Sequence, residues 1–159
     1  MSIEKITPQI AALYIGQKCE YPNDDGGKIV CFLTGVASDG IETTYKRKRD
    51  GVCGDILSWK QNSPTQKRFA GNVKFHLRSP DTLTEKECRM LYHLETGETW
   101  FDHYGGEENA PPCKNFWFED EYKGPTGSPL VWLKMLEMGI DLFGLIPAGL
   151  AKEIGDGTK

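Results

Sequence analysis

Over the first half of the chain, apolar and polar residues alternate in short runs bounded by turn residues, the period of strands rather than helices. Residues 13–21, "LYIGQKCEY", are apolar and stop at the turn cluster "PNDDGG" (22–27). Residues 28–37, "KIVCFLTGVA", make a β-branched and aromatic run long enough for a central strand. Asp39-Gly40 is a two-residue hairpin signal, since both residues tolerate positive φ. "IETTYKRK" (41–48) follows, Asp50-Gly51 is a second such turn, and "VCGDILSW" (52–59) comes next. A polar loop, 60–71, precedes a last strand, "NVKFHLRS" (72–79). Five short strands with tight turns predict an α+β fold built on a small SH3-like antiparallel β-barrel over residues 10–79. An OB-like barrel is the nearest alternative.

The period then changes. Residues 80–97 read as a helix: Thr84 is placed to N-cap, Glu87 completes a capping box, and Gly97 stands at the C-terminal stop. Residues 98–127 hold two aromatic-rich runs around a Gly/Pro/Asn loop, which predicts a projecting β-hairpin insertion. In 128–154, Ser128 and Pro129 open a second helix, Gly139 closes it, and an apolar tail docks on the body. No repeat or linker separates these pieces, so 1–159 is expected to be one domain.

Charge adds an asymmetry. The net charge of −4 divides into 12 Lys/Arg against 8 Asp/Glu over 1–78, and 7 against 15 over 79–159. Halves of +4 and −8 suggest two faces of opposite potential, or self-association, and count against a general nucleic-acid coat. Five cysteines without a C-x-x-C pair or an apparent secretory signal point to reduced, mostly buried thiols and a cytoplasmic protein. No apolar run is long enough for a membrane span.

Three passages carry a resemblance: "YIGQ" (14–17), "FHLRSPDTLTEKE" (75–87), and "DLFGLIPAGLA" (141–151) at the end of a Trp-bearing helix. The chain resembles a loose group of small accessory proteins carried by phages and prophages of gut bacteria. In those, a similar L-R-P-L-S-D-L-T passage and a terminal G-L-I-x-x-G-L-A recur. Ser79-Pro80-Asp81 departs from the first pattern, and residues 98–127 lie outside the resemblance. It implies a phage accessory origin, working inside the host bacterium, and transfers no catalytic residue. Small phage proteins of this kind often counter host immunity, by sequestering a nucleotide signal or capping a host enzyme.

Two constellations are candidate binding chemistry. The first is the run Lys46-Arg47-Lys48-Arg49. In a strand its cations point to both sides, so alone it is an ordinary solvated hairpin tip. It becomes a phosphate grip if Lys67-Arg68, with Lys74 or Arg78, comes alongside. The second is the aromatic insertion, where Trp100, Tyr104, Trp117 and Tyr122 either fill a core or present anchors for a partner or a base. Asp102, His103 and Cys113 as a thiol site, or His76, His93, Cys88 and Cys113 as metal ligands, lack the spacing of any such motif.

The expectation is therefore a non-enzymatic, homo-oligomeric binding protein that sequesters a small phosphorylated nucleotide, cyclic ones included, without cofactor or metal. Arg47, Arg49, Lys67 and Arg68 would meet phosphate, and Trp100, Tyr104 or Trp117 would stack on the base. The alternatives are a protein–protein inhibitor of a host enzyme acting through the acidic insertion, as a DNA mimic or cap, and an SH3-like nucleic-acid-binding module.

Overall fold

The computed structural model describes residues 3–47, 49, 51–117 and 128–155. The fold is α+β, and the chain divides into two compact units, Met1–Leu77 with Phe143–Ile154, and Arg78–Leu142 with Gly155–Lys159. Among the described residues no helix is long and apolar enough to cross a membrane.

The first unit opens with α1 (Pro8–Leu13), where Thr7 Oγ1 accepts from the Ile10 N–H and Pro8 occupies the first helical turn. Strands β1 (Lys18–Pro22), β2 (Lys28–Val36), β3 (Gly40–Arg47), β4 (Gly51–Ser58), β5 (Lys74–Arg78) and β6 (Ala151–Ile154) form one sheet in the order β4-β3-β2-β1-β5-β6. The pairs β1–β2, β2–β3, β3–β4 and β1–β5 are antiparallel.

This sheet is open, with β4 and β6 at its edges, so the expected SH3-like barrel does not close. Two features keep it open. Thr7-Pro8 diverts residues 8–13 into a helix, and the free side of β5 is taken by the tail strand β6 instead of by β4.

Alternation along the strands buries one face. Cys19 and Tyr21 of β1, Cys31 and Leu33 of β2, Ile41 of β3, Leu57 of β4, and Phe75 and Leu77 of β5 are all buried. Tyr14 packs on Phe75 with ring centroids 5.3 Å apart, and on Phe143 at 6.3 Å. Both hairpins form, but the β2–β3 loop falls at Ser38-Asp39, one residue before the expected Asp39-Gly40. Gly40 is already in β3, and its carbonyl accepts from the Ala37 N–H at 2.8 Å. The two glycines serve differently. Gly51 takes φ 77°, as a tight hairpin needs. Gly40 is not left-handed; a Cβ there would collide with the Leu57 carbonyl oxygen across β3–β4.

The second unit is helical. α2 (Glu85–Thr96) has the predicted capping box, with the Glu87 N–H bonded to Thr84 Oγ1 at 3.2 Å and the Thr84 N–H bonded to Glu87 Oε2 at 2.9 Å. Gly97 closes it at φ 76°. α5 (Pro129–Glu137) lies where the second helix was expected, ending before Gly139 at φ 75°.

Residues 98–117 are not a hairpin. They form α3 (Trp100–His103), a 3₁₀ turn at Glu107–Asn109, and α4 (Lys114–Trp117). Thr99 Oγ1 caps α3 by accepting from the Asp102 N–H at 3.1 Å, and Glu85 accepts from the N–H groups of Cys113 and Lys114, at 2.9 Å each, ahead of α4. Local helical hydrogen bonds thus take the backbone groups that strands would have paired. The remainder of that predicted hairpin, 118–127 with Tyr122, lies outside the described residues.

Candidate functional site: a lysine cleft on the open sheet face

The face of the sheet opposite the core carries the most distinctive chemistry of the first unit. Cross-strand register sets Lys18 beside Phe32, Glu20 beside Val30, and Lys74 on the other side of Glu20. Val30 and Phe32 are 41% and 51% exposed, so apolar surface meets water here. Lys28 from the start of β2 and Lys152 from β6 complete the group.

Glu20 is its centre. Its carboxylate accepts from Lys28 Nζ at 3.0 Å and His76 Nε2 at 3.0 Å, with Lys152 Nζ at 3.7 Å. Burial pushes Glu20 upward, but the hydrogen bonds from Lys28 and His76 and the charges of Lys28 and Lys152 outweigh it and hold the carboxyl below its ordinary value. His76 moves the other way. Desolvation lowers its pKa, Glu20 opposes this, and Lys152 and Lys18 reinforce it. The imidazole is therefore a neutral donor at pH 7, and Nε2–H is the tautomer that suits Glu20.

A cleft of about 570 Å³ opens between these groups, lined by Glu20, Lys28, Asn72, Lys74, Ala151 and Lys152. Lys28, Lys74 and Lys152 share the lining with a single carboxylate, Glu20, and Lys18 adds its charge near His76, so the cleft holds a surplus of ammonium groups in a concave, partly apolar setting. Such an arrangement attracts anions as point charges, without the planar fork an arginine would supply. A second cleft of about 600 Å³, lined by Lys5, Gln9, Trp59, Gln61 and Phe69 among others, is aromatic-walled and has one cation.

The residues expected to bind phosphate do not assemble. Arg47 ends β3 opposite Gly51, and Arg49 is exposed in the turn; Lys48 and Asp50 lie outside the described residues. Lys67 is exposed, but Arg68 is bonded through Nη2 to Asp55 Oδ2, and Tyr21 Oη donates to the same oxygen at 2.7 Å. Asp55 pairs with Thr43, four register steps from Arg47 and Gly51, which is roughly 14 Å along the strand. Asp24 Oδ1 also holds the backbone N–H groups of Lys67 and Arg68, at 3.0 and 3.2 Å. Of the two helpers considered, Lys74 belongs to the lysine cleft. Arg78 is buried and bidentate to Glu87, at 2.9 Å to each oxygen.

The expected stacking residues belong to the second unit, and two of the three are core. Trp100 is 4% exposed, donates Nε1–H to Pro111 O at 2.8 Å, and meets Tyr92 edge-on at 4.9 Å. Trp117 is 1% exposed and donates to Cys88 O at 3.1 Å. Tyr104 stays partly exposed, against Trp100 at 4.8 Å. Cys88 and Cys113 are buried in the same cluster as Trp100 and Trp117.

Sequence reasoning missed Lys18, Lys28 and Lys152 because each sits alone in the chain. The available signal was the polar parity of β1, β2 and β5: Lys18, Glu20, Lys28, Lys74 and His76 all fall on the non-core side of the alternation. No family model, no curated protein and no solved structure matches this chain.

Proposed function

We propose that this protein is a non-catalytic binding protein for a small phosphorylated nucleotide, held on the open sheet face of its first unit. Phosphate oxygens meet Lys28, Lys74, Lys152 and Lys18, and the base lies on Phe32 and Val30. One observation carries the reading: among the described lining residues three lysines surround one carboxylate, Glu20, and the exposed ring of Phe32 lies on the same sheet face, in register with Lys18. Base–aromatic stacking contributes about 1–3 kcal/mol per base, and the lysines supply the charge complement. The resemblance to phage accessory proteins makes sequestration of a host nucleotide signal the fitting role. The burial of Trp100 and Trp117 removes two of the anchors that an inhibitory protein contact through 98–127 would use.

The test is calorimetric titration with linear and cyclic nucleotides, comparing the wild type with K28E/K74E, F32A and K67E. K28E/K74E is expected to weaken binding about tenfold or more, roughly 1.4 kcal/mol. F32A should weaken it as well, and K67E should leave it unchanged. Tighter binding of single-stranded oligonucleotides than of mononucleotides favours the nucleic-acid module instead. No heat with any of them ends the proposal.

A further inference from the structure

We propose that β4 is a self-association edge, and that its occupant is β4 of a second copy running antiparallel, with Gly54 on the twofold axis. β4 is the terminal strand of the sheet and pairs with β3 along its whole length, from Gly40↔Ser58 to Arg47↔Gly51. The Trp59 N–H bonds to Asp39 O, so the hydrogen-bonded pairs of this ladder step by twos through 41/57, 43/55 and 45/53. The peptide groups of Val52, Gly54 and Ile56 are therefore the ones turned toward the open edge.

Those same three residues make a self-complementary set. Antiparallel pairing about Gly54 sets Val52 of one copy against Ile56 of the other, Gly54 against Gly54, and Ile56 against Val52. Each pair joins residues whose peptide groups point outward, giving about four inter-chain hydrogen bonds besides those of the two Ile56 N–H groups, which the Asp55 carboxylates also draw on. Val52 and Ile56 are 68% and 74% exposed, the most exposed of the large apolar residues described, and the pairing covers each with the other. Lys, Arg and Pro, which often blunt an edge, are absent from β4. Its one charge, Asp55, is engaged by Tyr21 and Arg68.

Charge favours a second copy over an unrelated strand. The tip of the β3–β4 hairpin carries Lys46, Arg47 and Arg49, whereas its other end carries Asp39 and Glu42 against one cation, Lys60. Antiparallel pairing lays the basic tip of each copy beside the acidic end of the other. The contact is isologous and closes at two chains, so it leads to a dimer and not to a filament. It does not depend on what the lysine cleft binds.

The experiment is sedimentation or light scattering of the wild type, I56K and V52K, with far-UV circular dichroism to confirm folding, and oxidative cross-linking of G54C in a C53S background. A Cβ at Gly54 would meet nothing closer than Thr43 O at 3.7 Å, so the cysteine fits. The expected result is a wild-type dimer, monomeric I56K and V52K with unchanged spectra, and a covalent G54C dimer. A monomeric wild type, or a dimer that survives both lysine substitutions, overturns the proposal. Should the lysine variants fail to fold, the absence of a G54C cross-link overturns it equally.

Discussion

Arg68 and Asp55 are bound to each other at mid-strand on β4, and Tyr21 Oη completes the group by donating to the same carboxylate oxygen at 2.7 Å. Burial raises the Asp55 carboxyl, but the hydrogen bonds from Tyr21 and Arg68 and the Arg68 charge more than reverse it. The arginine is thus a fastener for the 60–71 loop on the sheet, and not a ligand grip. Asp55→Ala leaves a phenol and a guanidinium without their acceptor and should cost about 1–3 kcal/mol. Lys67→Ala, one residue before Arg68 and exposed, should stay within about 0.5 kcal/mol. Urea unfolding of the two variants checks the contrast; equal midpoints mean that the loop is held by Asp24 and its own hydrogen bonds alone.

His76 gives the stability a pH dependence with a definite sign. Its folded pKa is depressed, so the unfolded chain takes up a proton at a higher pH than the folded protein does. The stability tied to neutral His76 is complete above its ordinary value of 6.5 and falls as pH drops below it. Glu20 and Glu87, also depressed, contribute a second loss below their ordinary value of 4.5. Melting temperature measured from pH 7.5 to 5 should decline in the wild type and decline less in His76→Gln. Parallel curves would show that His76 titrates normally in the folded protein.

The thiols sort by burial. Cys19 and Cys31 face each other across β1–β2 with Sγ atoms 3.3 Å apart, and both are inaccessible. Burial pushes Cys88 up to about 11 and Cys113 up to about 12, so little thiolate exists at either near neutral pH. Cys53, half-buried on the edge strand, is the accessible one. Mass spectrometry after brief treatment of the native protein with iodoacetamide should show a single adduct, lost in Cys53→Ser. Labelling of Cys19 or Cys31 at a similar rate contradicts the burial of the β1–β2 pair.

What the sequence disclosed follows the range of the interactions. α2 was legible because Thr84, Glu87 and Gly97 act within one or two turns of their own positions, and the left-handed Gly51 for the same reason, whereas Gly40 is required by the distant Leu57 carbonyl. The open sheet was not, because closure depends on whether β5 meets β4 or β6, and β6 lies more than 70 residues later in the chain. The lysine cleft was hidden by the same distance: Lys28, Lys74 and Lys152 meet through strand order, while the conspicuous run 46–49 stays at a hairpin end. The acidic half misled in a further way. Glu85, Glu87 and Glu95 accept hydrogen bonds from backbone N–H groups of their own unit, so they are not simply a surface charge for a partner.

The aromatic segment provides the sharpest contrast between core and surface. Trp117 is fully buried among Leu83, Cys88, Leu91, Val131 and Met135, and its indole N–H is satisfied inside the unit. Trp117→Ala removes that volume and leaves the Cys88 carbonyl without this donor, at a cost of about 3–5 kcal/mol. Tyr104 sits at the rim of the same cluster, 38% exposed and edge-on to Trp100, so Tyr104→Ala should cost about 1 kcal/mol or less beyond the loss of one ring contact. Thermal or denaturant unfolding measures both. If these aromatics were surface anchors for a partner, Trp117→Ala would leave the isolated protein as stable as the wild type and weaken only an intermolecular contact. A large loss in the isolated chain assigns Trp117 to the core of the second unit.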